Sequence, residues 1–501
     1  MSMIKSVIVS GLALTMGCAS PVWAQVETHR PPAMGASQEQ STAEPDPYPS
    51  VAAGWGGYSE QFATSRWAED WTAAKAAGEA PPLKALPLFG RDDVNLTFSG
   101  EVRLRDEMYG NGLLVHGNNY NNDELRAILG ADLHLGDHFR VYGELGHADV
   151  SGAGNPTVIY KGGPVSAGYK NDISLQQLFG EARTTVDGAL VGVMYGRMEF
   201  ADGPKQLVSV SNGNSLHRTF NGYRAYLHTD RFRVSLFHGD VTLLGTGGFD
   251  EKANHGEQLT AVNASVELVP FTKTQSLFFD PMWYHTYNVK DPLGSGSGLG
   301  HRDTYGPRLW GRSGPWVFDW MIFNQNGDHL GREIQAWAAS FDTSYQLNPD
   351  GWKPRVGFRL DMSSGGGSYA KTGTIDAFSP VYQSSSYLGE GKLIGDSNLE
   401  LLSPTFSFTP AKPVKISMEY DLVRRMSETD AFYASGLKPY AGTQNVPGHN
   451  VGTYGRINVD YALTRNIGIE LEGETLQAGQ VLHRAGYGSG QYLLAGLDVK
   501  Y

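Results

Sequence analysis

The sequence predicts an all-β protein that crosses a membrane as a closed antiparallel barrel of about 18 strands. Three observations predict this class. From Val94 to Tyr501, apolar and polar side chains alternate, as in NLTFSGEVRLRDE, which places the two kinds on opposite faces of β-strands. The chain begins with an export signal, and its single cysteine, Cys18, falls inside that signal. An exported, cysteine-free chain of alternating strands is typical of a barrel that faces lipid.

The export signal reads MSMIKSVIVSGLALTMGCASPVWAQ. Lys5 supplies its positive charge, residues 7–14 supply its apolar run, and cleavage is expected after Ala24. Lipidation of Cys18 is an alternative, but Thr15, Met16 and Gly17 make a poor lipoprotein motif. Residues 1–24 are therefore interpreted as a signal peptide that is removed.

Residues 25–93 are predicted to be a periplasmic segment. Its first part is rich in Pro, Ala, Ser and Gln and too poor in large apolar residues to form a core, which predicts disorder. Further on, Trp67, Trp71 and Ala74 recur at helical spacing before a pair of prolines. This pattern predicts a short helix near the mouth of the barrel, which we interpret as a structural cap rather than a gating plug.

The predicted barrel, residues 94–501, contains both short and long connections. Tight links such as LGDHF and HTDRF contrast with long Gly-rich stretches such as SSGGGSYAKTGTIDAFSPVYQSSSYLGEGKLIGDS. Short periplasmic turns and long external loops are the asymmetry expected of an outer-membrane barrel. At ~10 residues per strand plus connections, the segment accommodates roughly 16 to 18 strands, and closure requires an even number.

A soluble β-sandwich would also alternate, but with its apolar face inward. The last strand, QYLLAGLDVKY, argues for the barrel because it ends on an aromatic residue, as outer-membrane proteins do. Leu493, Leu497 and Tyr501 share one face of it. We expect Tyr501 to be recognised by the barrel insertion machinery. The expected location is the cell outer membrane of a Gram-negative bacterium, with outer-membrane lipid around the barrel.

Several stretches resemble the alginate export family of bacterial outer-membrane proteins. They are RWAEDW, LKALPL, LTFSGEVRLRDE, YGRMEF, FNGYRA, GTIDAFSPVY, SNLELLSPTFSFTPAKPVKISMEYDLVRR, ETDAFYASG and ALTRNIGIELEGETLQAGQVL. The resemblance implies an 18-stranded barrel and, as in the best-known member, a lumen lined by arginines through which a polyanionic uronate polymer passes. The sequence departs from the family pattern at Val423, Arg424 and Arg425, where an aromatic residue and an arginine are expected.

The candidate solute contacts are arginines whose position in the alternation points them into the lumen. A guanidinium group stays charged and can donate two parallel hydrogen bonds to a carboxylate. Repeated weak contacts would hold an anionic solute without trapping it. The candidates are Arg103, Arg105, Arg126, Arg140, Arg197, Arg224, Arg355, Arg359 and Arg425.

Two functions stay open on these observations. One is a channel for passive passage of anionic saccharides, such as an alginate-like uronate polymer or its oligomers, or of other carboxylated solutes. The other is a general diffusion porin without polysaccharide specificity. Acids on the same strand faces, including Glu101, Asp361 and Glu419, support the second function, because arginines paired with them across strands need bind no solute.

Other functional classes find little support in the sequence. The formal net charge of −12 argues against a nucleic-acid partner. The histidines have no metal-ligand spacing, and no catalytic motif is present, so we expect no enzyme, no metal site and no cofactor. The expected form is a monomer.

Overall fold

The structure, a computed structural model, describes residues 62–152, 166–272 and 274–501. The predicted signal peptide lies outside the described residues. Eighteen antiparallel strands close into a barrel, which confirms the predicted fold class. The strands are β1 Arg91–Gly110, β2 Tyr120–Leu135, β3 Phe139–Ser151, β4 Asn171–Val186, β5 Ala189–Met198, β6 Phe220–His228, β7 Phe232–Leu243, β8 Lys252–Val269, β9 Gln275–Leu293, β10 Gly296–Ser313, β11 Trp316–His329, β12 Arg332–Gln346, β13 Arg355–Ser363, β14 Leu399–Ala411, β15 Val414–Arg424, β16 Asn450–Ala462, β17 Ile467–Ala478 and β18 Gly490–Lys500.

The barrel closes because its first strand pairs with its last. Val102 of β1 lies opposite Val499 of β18, and Tyr109 lies opposite Tyr492. Every other strand pairs with its neighbours in the chain, and this order leaves no free edge for lipid to meet. None of the helices in the described part of the chain is long and apolar enough to cross a membrane.

The connections differ in length between the two ends of the barrel. The start of β1 and the end of β18 lie at one end, which we call the terminus end, and its connections are short, such as 187–188 and 412–413. Asp187 and Gly188 both have positive φ, at 49° and 82°, as a two-residue hairpin turn requires. The opposite end, called the loop end, carries the long connections 199–219, 364–398 and 425–449.

Apolar side chains cover the outside of the barrel, as the alternation predicts. Leu104, Leu129 and Leu493 are 44%, 58% and 53% exposed. The polar residues between them, such as Arg103 and Arg126, point inward and are buried. This arrangement is the reverse of that in a soluble protein and is the one that a lipid environment stabilises.

Two long connections fold back into the lumen. Val208 of segment 199–219 lies beside Tyr382 of segment 364–398, where the Tyr382 amide donates to the Leu207 carbonyl at 2.6 Å. Both segments contribute to an apolar cluster inside the barrel, which we call the lumen core. Its members include Trp67, Tyr142, Phe179, Met198, Phe200, Val208, Phe220, Met321, Phe323, Ile334, Ile375 and Phe378.

The segment before the barrel also enters it. A 3-10 turn, Arg66–Ala68, and a short helix, Thr72–Ala76, precede a short strand, Leu86–Leu88, that pairs with β1. Trp67 and Trp71 are buried, whereas a cap on the outside of the mouth would leave such rings partly exposed. Trp67 therefore lies deeper than the structural cap that the sequence suggests, whereas Trp71 packs against Phe62, Ala74 and Ala85 of its own segment.

Candidate functional site

Three of the predicted arginines meet on β1 and β2. Arg103 lies directly opposite Arg126 in the register of the two strands, and Arg105 is two residues further along the same face of β1. All three side chains are buried inside the barrel. Like charges placed directly opposite each other destabilise a sheet. The barrel wall therefore places Arg103 and Arg126 side by side, although Glu101, Glu107 and Glu124 also face inward on the same strands.

The three guanidinium groups differ in their partners. Arg103 donates to two backbone carbonyl oxygens of segment 199–219, those of Asn212 at 2.6 Å and Asn214 at 2.8 Å. Arg126 donates to the Asn212 side-chain oxygen at 2.6 Å and pairs with Glu101 of β1. The hydrogen bonds of Arg103 thus go to neutral acceptors, whereas Arg126 has a carboxylate partner.

Arg105 ties the other inward segment to the wall. Its two terminal nitrogens donate to Glu390 of segment 364–398 at 3.0 Å and to Glu470 of β17 at 3.2 Å. Burial opposes the ionisation of Glu390, but the charges of Arg105 and Lys392 hold the pKa of that carboxyl below its usual value. Glu390 is therefore an ionised partner of Arg105 at neutral pH.

Arg140 lies nearer the terminus end, among aromatic rings. It donates to Asp132 at 2.9 Å and to Glu181 at 3.2 Å, and it also donates to the backbone carbonyl of Trp67. Its charge is balanced by the two carboxylates. Its remaining donor holds the segment before the barrel.

Arg197 and Arg224 line the lumen on β5 and β6. Arg197 forms an ion pair with Glu251 at 3.1 Å and donates to Asn221 at 2.9 Å. Arg224 donates to Ser235 at 3.0 Å, and its terminal nitrogen lies 3.7 Å from a carboxylate oxygen of Asp202. Both arginines therefore have acidic partners in the wall or in the adjoining segment.

The last three candidates lie apart from the cluster on β1 and β2. On β13, Arg355 donates to Gln346 at 3.0 Å, and Arg359 pairs with Asp361 at 3.0 Å. Arg425 follows β15 and donates to backbone carbonyls of its own connection, including that of Gly448 at 2.8 Å. Arg425 thus holds segment 425–449 in place.

Acidic side chains dominate another part of the lumen. Asp460 of β16 lies opposite Glu470 of β17. Arg456 pairs there with Glu419 at 2.8 Å. The inward carboxylates of this wall are those of Glu419, Asp421, Asp460, Glu470, Glu472 and Glu474. The interior therefore carries a mixed wall at β1 and β2, where Glu101, Glu107, Glu124 and Asp132 accompany the arginines, and an acidic wall at β15 to β17.

Several residues of the site come from segments where alternation carries no information. Asn212, Glu390 and Glu199 reach the lumen arginines, or the rings beside them, from long connections. His217 contacts both Arg126, at 3.1 Å, and Glu199, at 2.5 Å. The only sequence signal for these contacts is the length of the connections, and length does not identify which residues reach the lumen.

The closed barrel, its apolar outer face and its charged interior are the features of an outer-membrane channel. Residues 94–495 match the alginate export family, and the chain belongs to that family, as its sequence predicts. The family and the fold together point to the outer membrane of a Gram-negative bacterium. In the described part of the chain, no group of three or more His, Cys, Asp or Glu residues is arranged to hold a metal ion.

Solved structures of outer-membrane channels share the fold. OccAB1 of Acinetobacter baumannii is similar with a TM-score of 0.52 at 10% identity, over 81% of this chain and 96% of that one. OccK9 (OpdG) of Pseudomonas aeruginosa gives a TM-score of 0.52 at 10% identity, over 81% and 98%. OpdO of Pseudomonas aeruginosa gives 0.50 at 10% identity, over 82% and 98%. At this identity the likeness concerns the fold alone. No curated protein sequence matches the chain.

Proposed function

We propose that this barrel is an outer-membrane channel for the passive passage of anionic saccharides, such as a uronate polymer or its oligomers, or of other carboxylated solutes. The observation that carries the proposal is the cluster of Arg103, Arg105 and Arg126 on neighbouring positions of the lumen wall. A wall that needed only stability would avoid like charges directly opposite each other. Positive charge at this place is explained by attraction of an anion.

Arg103 is the member of the cluster best suited to meet a solute. Its two hydrogen bonds go to the carbonyl oxygens of Asn212 and Asn214, which are neutral. A carboxylate accepts from a guanidinium group with about twice the strength of a neutral oxygen, and it can accept from both nitrogens of the fork. An entering uronate group can therefore replace the two carbonyls.

The other predicted contacts are proposed as weaker steps along the path. They are Arg140, Arg197, Arg224, Arg355, Arg359 and Arg425, most of which already have partners in the wall. Several modest contacts suit transport, because a solute must bind well enough to enter and weakly enough to leave. We further propose that the protein functions as a monomer in outer-membrane lipid and is assembled by the barrel insertion machinery through Tyr501.

A general diffusion porin is the second candidate. The pairing of Arg359 with Asp361 and of Arg105 with Glu390 favours it, because arginines neutralised in this way select no solute. The acidic wall at β15 to β17 adds to this support, since fixed negative charge repels a polyanion.

Reversal potential in a planar bilayer separates the two candidates. We expect anion selectivity and a current that oligouronate blocks. Arg103→Gln should reduce the selectivity and weaken the block about tenfold, the effect of losing roughly 1.4 kcal/mol. Arg424→Gln is the matched control, because Arg424 is exposed on the outer face of β15 and its loss should change neither quantity. Cation selectivity, or a current that oligouronate leaves unchanged, would support the general porin.

A further inference from the structure

Trp67 lies inside the barrel although it precedes the first strand. Its side chain is 0% exposed, and its ring meets Phe179 of β4 edge to face at 5.8 Å. The indole nitrogen donates to the Glu199 carboxylate at 3.2 Å. We call the group around this ring, formed by Arg140, Tyr142, Phe179 and Glu199, the Trp67 seat.

Arg140 completes the seat from the wall. It donates to the backbone carbonyl of Trp67, and its guanidinium carbon lies 5.7 Å from the centre of the Trp67 ring. Asp132 and Glu181 balance its charge. The seat therefore offers two aromatic surfaces, one acceptor and one donor, and it is not strongly cationic.

The rest of the segment is held to the end of the last strand. Arg66 donates to the Tyr501 carbonyl oxygen at 2.6 Å, and Lys84 donates to the same oxygen at 3.2 Å. Glu69 pairs with both cations, at 2.8 Å and 3.4 Å. Because these three charged side chains are almost fully buried, residues 62–88 are a docked element rather than a loose tail.

We propose that the Trp67 seat is a binding site for a sugar ring and that residues 62–88 form an internal plug, whose Trp67 occupies the site until an entering saccharide replaces it. A pyranose ring presents an apolar face and hydroxyl groups that both donate and accept. The indole ring, its N–H and the Trp67 carbonyl make the corresponding three contacts with Phe179, Glu199 and Arg140. The inference rests on the proposed passage of saccharides.

The position of the plug explains why displacement is needed. Trp67 belongs to the lumen core together with residues of β3 to β5 and of segment 199–219, so it occupies the lumen beside this part of the wall. A solute that crosses along this part of the wall must displace the indole ring. Glu199 and Arg140 then lose the hydrogen bonds that they made with Trp67. A sugar ring supplies replacements for each lost contact, whereas water replaces only the polar ones.

Trp67→Ala in the full mature chain tests the proposal. We expect its single-channel conductance to rise at least about twofold, and half-blocking by a neutral oligosaccharide to need about tenfold less sugar because the internal competitor is gone. Trp352→Ala is the matched control, since Trp352 is 64% exposed in a connection at the terminus end. The control should change neither quantity.

A second variant tests the site separately from the plug. Glu199→Gln in the Trp67→Ala background keeps the shape of the seat and removes its charged acceptor. We expect the conductance to stay raised and the tightened block by neutral oligosaccharide to weaken about tenfold. Heat-modifiable migration on gels shows in both variants that the barrel is folded.

Two results would overturn the proposal in a folded barrel. Trp67→Ala with unchanged conductance would mean that the segment does not obstruct the lumen. Raised conductance without tighter block would mean that the seat does not bind sugar. Because the neutral probe carries no charge, its block is independent of the anion selectivity tested with Arg103→Gln. Loss of oligouronate block alone would refute the proposed function and leave the sugar site standing.

Discussion

Arg103 and Arg126 lie opposite each other on β1 and β2 and bind the same residue, Asn212, from two sides. Arg103 donates to its backbone carbonyl and Arg126 to its side-chain oxygen, each at 2.6 Å. Asn212 thus neutralises neither charge, yet it bridges both. This bridge joins the inward segment 199–219 to the part of the lumen wall where two arginines lie side by side.

The bridge predicts the effect of adding a charge. Asn212→Asp should raise the free energy of unfolding by about 1–2 kcal/mol, because hydrogen bonds from guanidinium to carboxylate are stronger than those to an amide. It should also lower anion selectivity, since the new carboxylate neutralises part of the cluster. Chemical unfolding in detergent and reversal potential measure the two effects. Asn324→Asp on the exposed outer face of β11 is the control for the reversal potential only, because a charge on the lipid face destabilises a barrel by itself. An unchanged reversal potential in Asn212→Asp would contradict the assignment of the cluster.

Removing Arg105 should destabilise the protein strongly. Arg105→Gln leaves Glu390 and Glu470 buried without their cation, which costs roughly 3–5 kcal/mol of unfolding free energy. The double variant Arg105→Gln/Glu390→Gln should recover part of that loss. The exposed pair of Arg424 with Glu400 is the matched control, and breaking it should cost about 0–1 kcal/mol. Equal losses of unfolding free energy on replacing Arg105 and on replacing Arg424 would contradict the prediction that burial makes the Arg105 ion pairs more important.

Glu390 should contribute to stability in a pH-dependent way. The pKa of its carboxyl is lowered in the folded state, so the unfolded state binds more protons as the pH falls. Its contribution is therefore complete above the ordinary carboxyl pKa and is lost as the pH falls through the lower, folded value. Glu390→Gln should flatten this part of the acid unfolding curve. A curve of unchanged slope would show that Glu390 does not titrate with folding.

Lys84 should make the docking of the plug stronger at alkaline pH. Burial lowers the pKa of its amine to about 8, against the opposing attraction of Glu69. At a pH between that value and the ordinary lysine pKa, the Lys84 amine is protonated in the undocked segment and neutral in the docked one. The free energy of docking therefore becomes more favourable by on the order of 1–3 kcal/mol as the pH rises through this range. Thiol labelling of Ala68→Cys at a series of pH values measures docking. Because thiolate formation alone speeds labelling as the pH rises, each rate is divided by that of free cysteine at the same pH. Lys84→Met should remove the dependence, and a divided rate that rises with pH would contradict the prediction.

Tyr501 should serve both assembly and docking. Its aromatic side chain is expected to serve assembly, and its hydroxyl also donates to the Pro82 carbonyl, while its backbone carbonyl accepts from Arg66 and Lys84. Tyr501→Ala should therefore reduce the amount of assembled barrel. Deletion of Tyr501 removes the acceptor of Arg66 and Lys84 as well and should also raise the conductance of inserted molecules. Normal insertion of Tyr501→Ala would refute the assembly role.

The strands and their orientation follow from the sequence because lipid imposes a simple rule on each residue. Leu104 must face out and Arg105 must face in, and most of β1 and β18 obeys this rule, although Asp106 faces out and Leu494 faces in. The first strand begins at Arg91, three residues before the predicted start, because strand ends depend on local pairing rather than on lipid.

The contents of the lumen could not be predicted in the same way. Asn212 and Glu390 reach β1 from connections more than a hundred residues away in the chain. Such contacts depend on the way in which the long connections fold back into the lumen, and local sequence periodicity does not predict it. Trp67 shows the same limit, because its helical spacing predicts an apolar contact but not the wall that it meets.

The pairing of β1 with β18 also has a consequence for the order of folding. The first strand cannot pair with β18 until β18 has left the ribosome and crossed to the site of assembly, and contacts this distant in sequence form slowly. The carbonyl that accepts from Arg66 and Lys84 belongs to Tyr501, directly after β18. Docking of residues 62–88 is therefore a late event. A chain that lacks β18 and Tyr501 would have neither a closed barrel nor a docked plug.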